Sequence, residues 1–238
     1  KATADFLRDK SAYLEREVAL RTLEVQAIQD VTIMAMTSLA ETRDNETGNH
    51  IRRTQLYVKT LAERLRNHPR FESVLTERMI ELLYKSAPLH DIGKIGIPDS
   101  ILLKPGKLTV EEFEVMKTHT TLGRNAIEDA ERRLGMRVAF LSVSKEIAYS
   151  HQEKWDGSGY PQGLAGEDIP VSARLMAVAD VYDALINKRV YKVAFSHEQA
   201  CSTIIKGKGT HFDPDMVDAF VEIAEDFRSI ALKYPDPE

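Results

Sequence analysis

Over the first forty residues, apolar side chains recur at Leu7, Leu14, Val18, Val25 and Ile28, close to one every 3.5 positions, with frequent charges and neither Pro nor Gly between them. This pattern predicts one long helix over 1–40, which would either pair as a coiled coil or pack on its own domain. Ser11 and Arg21 fall on seam positions and weaken the first option. A polar stretch, 41–53, leads into an apolar-periodic helix through Leu56, Val58, Leu61 and Leu65, and another helix is expected over about 75–86. Residues 98–107, with the turn dipeptide Pro105-Gly106, read as a loop. Thr109 with Glu112 is a capping box opening a helix that ends near His119, and further helices follow at about 121–134 and 138–150. Ser172 is expected to cap a helix over 173–185, Ser196 with Gln199 caps the next, and Asp213 followed by Pro214 opens the last. No stretch alternates long enough for a strand and no repeat is visible, so the fold expected is all-α.

Composition narrows this picture. The 238 residues are 43% hydrophobic and 29% charged, enough chain for a sizeable core, and they divide naturally into a connector, 1–40, and one helical domain, 41–238. A net charge of -5 and a pI near 5.9 argue against a general nucleic-acid binder, so no DNA partner is expected and any phosphate binding must be local. The single Cys201 excludes an intrachain disulfide and a cysteine-built zinc site, and suits a reducing, cytoplasmic setting. No apolar run approaches the roughly 20 residues of a membrane span. The chain begins with Lys rather than Met, and a segment ahead of it is expected.

Candidate chemistry concentrates in His90-Asp91-Ile92-Gly93-Lys94-Ile95-Gly96. An imidazole offers a neutral nitrogen, the adjacent carboxylate offers two oxygens able to bridge ions, and Lys94 stands one helical turn on, where its charge could meet a phosphate. Gly93 and Gly96 allow close approach of backbone or ligand. Alone, the dipeptide is as well read as a buried His beside its own Asp. Glu46 and His50, four apart, would share one helical face and could reach one ion, or simply hydrogen bond at the surface. His119 reads as a helix end. His151 enters a loop, Trp155-Asp156-Gly157-Ser158-Gly159-Tyr160-Pro161, which suits substrate binding and reads as tight and exposed rather than core. Asp180 interrupts an apolar run, so its buried carboxylate needs a partner, and Arg189, Tyr191 and Lys192 follow it closely. His68, beside a Pro, and His197, at an expected exposed helix start, are assigned no chemistry.

Taken in order, Glu46, His50, His90-Asp91, His119, His151 and Asp180, with the loop Asp156-Gly157-Ser158-Gly159-Tyr160-Pro161, resemble the HD-GYP family of metal-dependent phosphohydrolases over about 29–233. The resemblance implies a helical bundle holding two divalent transition metal ions, iron, manganese or nickel, and a cyclic di-GMP phosphodiesterase yielding pGpG, with GMP on further hydrolysis. Its attacking water would bridge two cations about 3.5 to 4 Å apart and ionise near neutral pH. Position by position it implies His50, His90, Asp91 and Asp180 on one metal, with Asp91 bridging to a second held by His119 and His151. It further implies Glu46 at a third metal, Asp91 and Lys94 in catalysis, Lys94, Arg189 and Lys192 on the phosphates, and Tyr160 framing the substrate. The front helix resembles the connector behind a receiver domain of response regulators, which implies such a domain, a homodimer through that helix, and contact with diguanylate cyclases. One departure stands out: the family's second adjacent His is here Gln152, a weaker donor than imidazole. That substitution supports the alternative of a cyclic di-GMP sensor with little turnover. An HD-type hydrolase of another phosphate ester is the third reading, and the Gly-Ser-Gly-Tyr-Pro loop argues against it.

Overall fold

A computed structural model describes residues 2–44, 48–187 and 194–236. The described residues are mainly helical, with one isolated bridge between Lys208 and Phe212 and no strand, as the apolar spacing predicts. The order is α1 (Ala2–Asp44), α2 (Gly48–Leu65), α3 (Glu77–Ser86), α4 (Asp99–Leu102), α5 (Val110–Leu134), α6 (Ala139–Ser150), α7 (Val171–Ile186), α8 (His197–Lys206), α9 (Pro214–Glu222) and α10 (Ala224–Lys233). The chain forms two compact units, Lys1–Met36 and Thr37–Glu238, where composition alone suggested a division after residue 40.

The first unit is the body of α1. It leaves Leu14, Val18, Val25 and Ile28 at least half exposed, at spacings of four, seven and three residues.

In the second unit, α7 is the central rod. Its run from Ala173 to Ala179 is buried residue by residue, which explains why it lacks an amphipathic pattern. Around it, α2 contributes Tyr57, Val58, Leu61 and Leu65, while α6, α8, α9 and α10 contribute Ile147, Ile204, Phe220 and Phe227. Tyr57 stacks on Phe227 with centroids 4.5 Å apart and meets Tyr182 edge-on at 5.3 Å.

Three of the four expected caps form where the sequence places them. Thr109 and Glu112 close a reciprocal capping box on α5, Ser196 and Gln199 do so on α8, and the Asp213 side chain accepts from Asp215 N ahead of Pro214 on α9.

Five local expectations are corrected. The segment 98–107 is not all loop, because Asp99–Leu102 makes one helical turn. α5 does not break near His119 but runs unbroken past Gly123. That glycine is there for packing: a Cβ on it would lie 3.3 Å from Gly93 N. Ser172 caps nothing. The helix begins at Val171, and the Ser172 hydroxyl donates to Glu146 Oε2 at 2.8 Å. The last helix is two, separated at Ile223, and the turn there carries Phe227 into the core. His197 is not an exposed helix start, since its Nδ1 lies 2.8 Å from the Tyr182 hydroxyl and its side chain is only 12% exposed.

Candidate metal centre

The His90-Asp91 turn follows directly from how α3 ends. After Ser86 a 3-10 turn, Ala87–Leu89, delivers a buried His90, and a second, Ile92–Gly96, begins immediately after Asp91. Gly93 presses this second turn against α5, where a Cβ would lie 1.9 Å from His119 O and 2.5 Å from Gly123 N. No side chain fits there. The same contact sets Asp91 beside His119, at 3.3 Å from Oδ1 to Nε2.

From three other places in the chain the remaining donors converge. His50 from the start of α2 and Asp180 from α7 join His90, and His151 from the end of α6 joins Asp91 and His119. The result is two sets of donors, each with its atoms within 4.8 Å of one another. His50 Nε2 lies 3.5 Å from His90 Nε2, and each is 3.9 Å from Asp180 Oδ1. In the second set His119 Nε2 and His151 Nε2 are 3.5 Å apart, and Asp91 Oδ1 is 3.5 Å from His151 Nε2. Asp91 also links the sets, with its Oδ2 3.2 Å from His90 Nε2 and 2.9 Å from Lys94 Nζ.

The tautomers follow from the hydrogen bonds. A carbonyl only accepts, so Nδ1 of His90, His119 and His151 must carry the proton it gives to Ala87 O, Met116 O and Ile147 O, at 3.0, 2.8 and 3.0 Å. His50 Nδ1 likewise donates to Asp183 Oδ2 at 2.8 Å. Nε2 is therefore the atom that each of the four rings turns toward the carboxylates and toward the other rings. Asp91 Oδ1, buried among them, makes no hydrogen bond.

Burial pushes the Asp91 carboxyl up, but Lys94 and then His90 outweigh it, so the group is held well below the usual carboxylate range. Burial also pushes the His119 imidazole down, to about 4, and Asp91 offsets this only in part, so the ring is a neutral donor near pH 7. His90 goes the other way: burial disfavours its charge, yet Asp91 and Asp180 win and its basicity rises. The surplus of negative charge and lone pairs that draws a proton to His90 is equally served by a divalent cation. Donors at about 2.0 to 2.2 Å from a common ion stand roughly 3 to 3.6 Å apart. The spacings within the two sets are close to that, so the residues present fit a binuclear transition-metal site of nitrogen and oxygen ligands.

Behind the donors lies a layer that the sequence reading missed. Asp183, 2% exposed, accepts from His50 and takes a paired hydrogen bond from Arg53, Nε to Oδ1 at 2.7 Å and Nη2 to Oδ2 at 2.8 Å. The signal was available. Asp183 lies three residues past Asp180 in the same apolar helix, and Arg53 three past His50.

The loop after His151 is not simply exposed, as expected. Asp156 and Ser158 face solvent, but Glu153 is buried and its carboxylate accepts from Gln162 N and Leu164 N at 2.7 and 3.1 Å, folding the loop back on itself. The guanidinium groups of Arg70 and Arg174 lie 5.5 and 5.7 Å from the Trp155 ring centroid, and both reach the buried Asp213. Tyr160 stands edge-on to His119 at 6.3 Å. Gln152 is half-buried, and its backbone carbonyl accepts from Tyr160 N at 3.2 Å. Glu46, Arg189 and Lys192 lie outside the described residues.

Comparison with known proteins agrees with this architecture. A family model described as HD domain matches residues 34–216. A "Probable cyclic di-GMP phosphodiesterase" of Vibrio cholerae is 55% identical over 238 residues, covering 100% of this chain and 54% of the relative. A "Cyclic di-GMP phosphodiesterase" of the same organism is 60% identical over 213 residues, 90% of this chain and 43% of that protein. The chain thus spans about half the length of the curated relatives it matches. Among solved structures, an HDG"Y"P protein from Bdellovibrio bacteriovorus shares the fold with a TM-score of 0.54 at 21% identity, over 76% of this chain and 54% of that one. With the His-Asp turn, the donor sets and the Gly-Tyr-Pro loop in place, the chain belongs to the HD domain family, in its HD-GYP branch.

Proposed function

We propose that this chain is a cytoplasmic, metal-dependent phosphodiesterase that opens cyclic di-GMP to the linear dinucleotide pGpG. The observation that carries the reading is Asp91, whose two carboxylate oxygens face different donor sets. His50, His90, Asp91 and Asp180 would hold one divalent ion, and Asp91, His119 and His151 a second, with Gln152 beside it. When bound, such ions polarise the phosphodiester and lower the pKa of water, giving a nucleophile at neutral pH.

The protein's own groups do the rest. Lys94, anchored 2.9 Å from Asp91, puts an ammonium beside the cluster where charge grows on the phosphoryl oxygens. The Tyr160 phenol is pushed up by burial and then by Asp91 and Asp180, so it stays protonated and can donate to the substrate. Arg189 and Lys192 would orient the second phosphate. The exposed apolar row of α1 supports pairing with a second copy, and a regulatory receiver domain ahead of that helix completes the reading.

Metal content and cyclic di-GMP hydrolysis, measured on one anaerobically purified sample, test the proposal. Two ions per chain with turnover support it. Nucleotide binding with no turnover in metal-replete protein would overturn it and leave a sensor. Gln152→His adds an imidazole beside His151 and is expected to tighten the second ion about 10-fold or more. Titration of the second metal equivalent checks this, and unchanged affinity and rate would remove Gln152 from the ligand positions.

A further inference from the structure

Two residues of α5 lie against Tyr160 and are not among the donors of the cluster. Phe113 and Lys117 are four residues apart and so share one face of the helix. Phe113 is a large aromatic ring left 43% exposed. Its ring stands edge-on to Tyr160 at 6.1 Å, and Tyr160 stands edge-on to His119 at 6.3 Å. A row of rings therefore leads from the donor set to the surface and ends on Phe113. Above it, Lys117 Nζ lies 5.2 Å from the Phe113 centroid and 5.7 Å from that of Tyr160. The Lys117 ammonium is also 2.6 Å from the carboxylate of Glu114, whose side chain is 62% exposed.

Resting on the cyclic dinucleotide reading above, we propose that Phe113 and Lys117 form a nucleobase shelf: one base stacks on the exposed face of Phe113, and Lys117 donates to its acceptor edge, selecting guanine over adenine. A phosphodiester seated at the cluster carries its nucleoside outward along the row of rings. Any base has a π face to offer an aromatic side chain, so the stack gives affinity without choice. The choice comes from Lys117. An ammonium has donors only; guanine presents two acceptors, N7 and O6, on one edge, whereas adenine puts an amino donor where O6 would be. Glu114 is a weak competitor, because a solvent-exposed ion pair contributes little.

The test is equilibrium binding of cyclic di-GMP and cyclic di-AMP, by calorimetry with and without Mn(II), together with kcat and KM for both on the Mn(II)-loaded chain. Phe113→Ala is expected to weaken both nucleotides by about 10-fold or more, in Kd and in KM. Phe113→Tyr should restore them, and an unaltered thermal midpoint shows that the exposed position does not govern folding. Lys117→Met keeps the stem over the rings and loses the donor, so the preference for cyclic di-GMP over cyclic di-AMP is expected to fall by about 5-fold or more. Unchanged affinity in Phe113→Ala, or an unchanged preference in Lys117→Met, would overturn the shelf while leaving the enzyme reading intact. Wild-type protein that binds but does not turn over would overturn the enzyme reading and leave the shelf standing. Binding of neither nucleotide would overturn both.

Discussion

Asp91→Ala leaves a folded chain that holds fewer than one metal ion and no longer opens cyclic di-GMP. The expectation follows from the position of the carboxylate between the two donor sets. Its Oδ1 is shared between His119 and His151, and its Oδ2 faces His90 and Lys94. Without it the second set is two imidazoles whose Nε2 atoms stand 3.5 Å apart, with no negative charge left to hold a cation between them. The first set loses the oxygen nearest His90. Removing a group that only orients a ligand already costs about 10 to 100-fold in affinity, so removing a ligand common to both ions should exceed that range. Folding should survive, because the apolar core built on α2, α3 and α6–α10 does not include Asp91. Metal analysis beside far-ultraviolet circular dichroism checks both halves. Asp91→Asn, which keeps the volume and removes the charge, separates the electrostatic role from the steric one. A metal content equal to wild type in either variant would refute the bridging assignment.

The extent to which this molecule could be read in advance depends on the range of each signal. Helices announced themselves through apolar spacing within a few residues, and three caps, at Thr109, Ser196 and Asp213, stand where local hydrogen-bonding chemistry puts them. His50, His90, Asp91, His119, His151 and Asp180 were legible as types of donor. What made them a candidate site was their order, since their separation in sequence says nothing about their meeting within 4.8 Å. The failures come from residues whose role is set by a distant partner. His119 looked like a helix end, but α5 continues through it and past Gly123, whose small size serves the contact with Gly93, thirty residues away. Ser172 looked like a cap until Glu146 claimed its hydroxyl. The loop after His151 read as exposed, yet backbone N–H groups nine and eleven residues past Glu153 give its buried carboxylate its purpose. Asp183 and Arg53 are the sharpest case, because each needs the other to be tolerated in the core at all.

That pair carries the second large effect: Asp183→Ala should unfold more easily and bind metal more weakly, through two separable causes. Arg53 and Asp183 are 1% and 2% exposed, and the carboxylate takes hydrogen bonds from the guanidinium, from His50 and from Asn187. Burial pushes the Asp183 carboxyl up, but Arg53 and His50 outweigh it and keep it ionised. Deleting it strands a buried guanidinium whose remaining partners are Tyr234 O and Asp236 at the chain's far end. Breaking such a pair costs about 3 to 5 kcal/mol, which for a chain of this size corresponds to a fall of roughly 6 to 20 °C in thermal midpoint. Metal affinity should fall for a different reason, by about 10 to 100-fold, because His50 Nδ1 loses the acceptor that fixes its tautomer and aims Nε2 at the cluster. The double variant Arg53→Met, Asp183→Leu separates the causes. It removes both charges and fills the space with apolar groups, so much of the stability should return, since an apolar pair of similar volume commonly equals a buried ion pair. Metal affinity should not return, because nothing in the double variant accepts from His50. If metal binding recovered together with stability, the carboxylate would be only a structural partner of Arg53, and the orientation of His50 would have to come from elsewhere in the bundle.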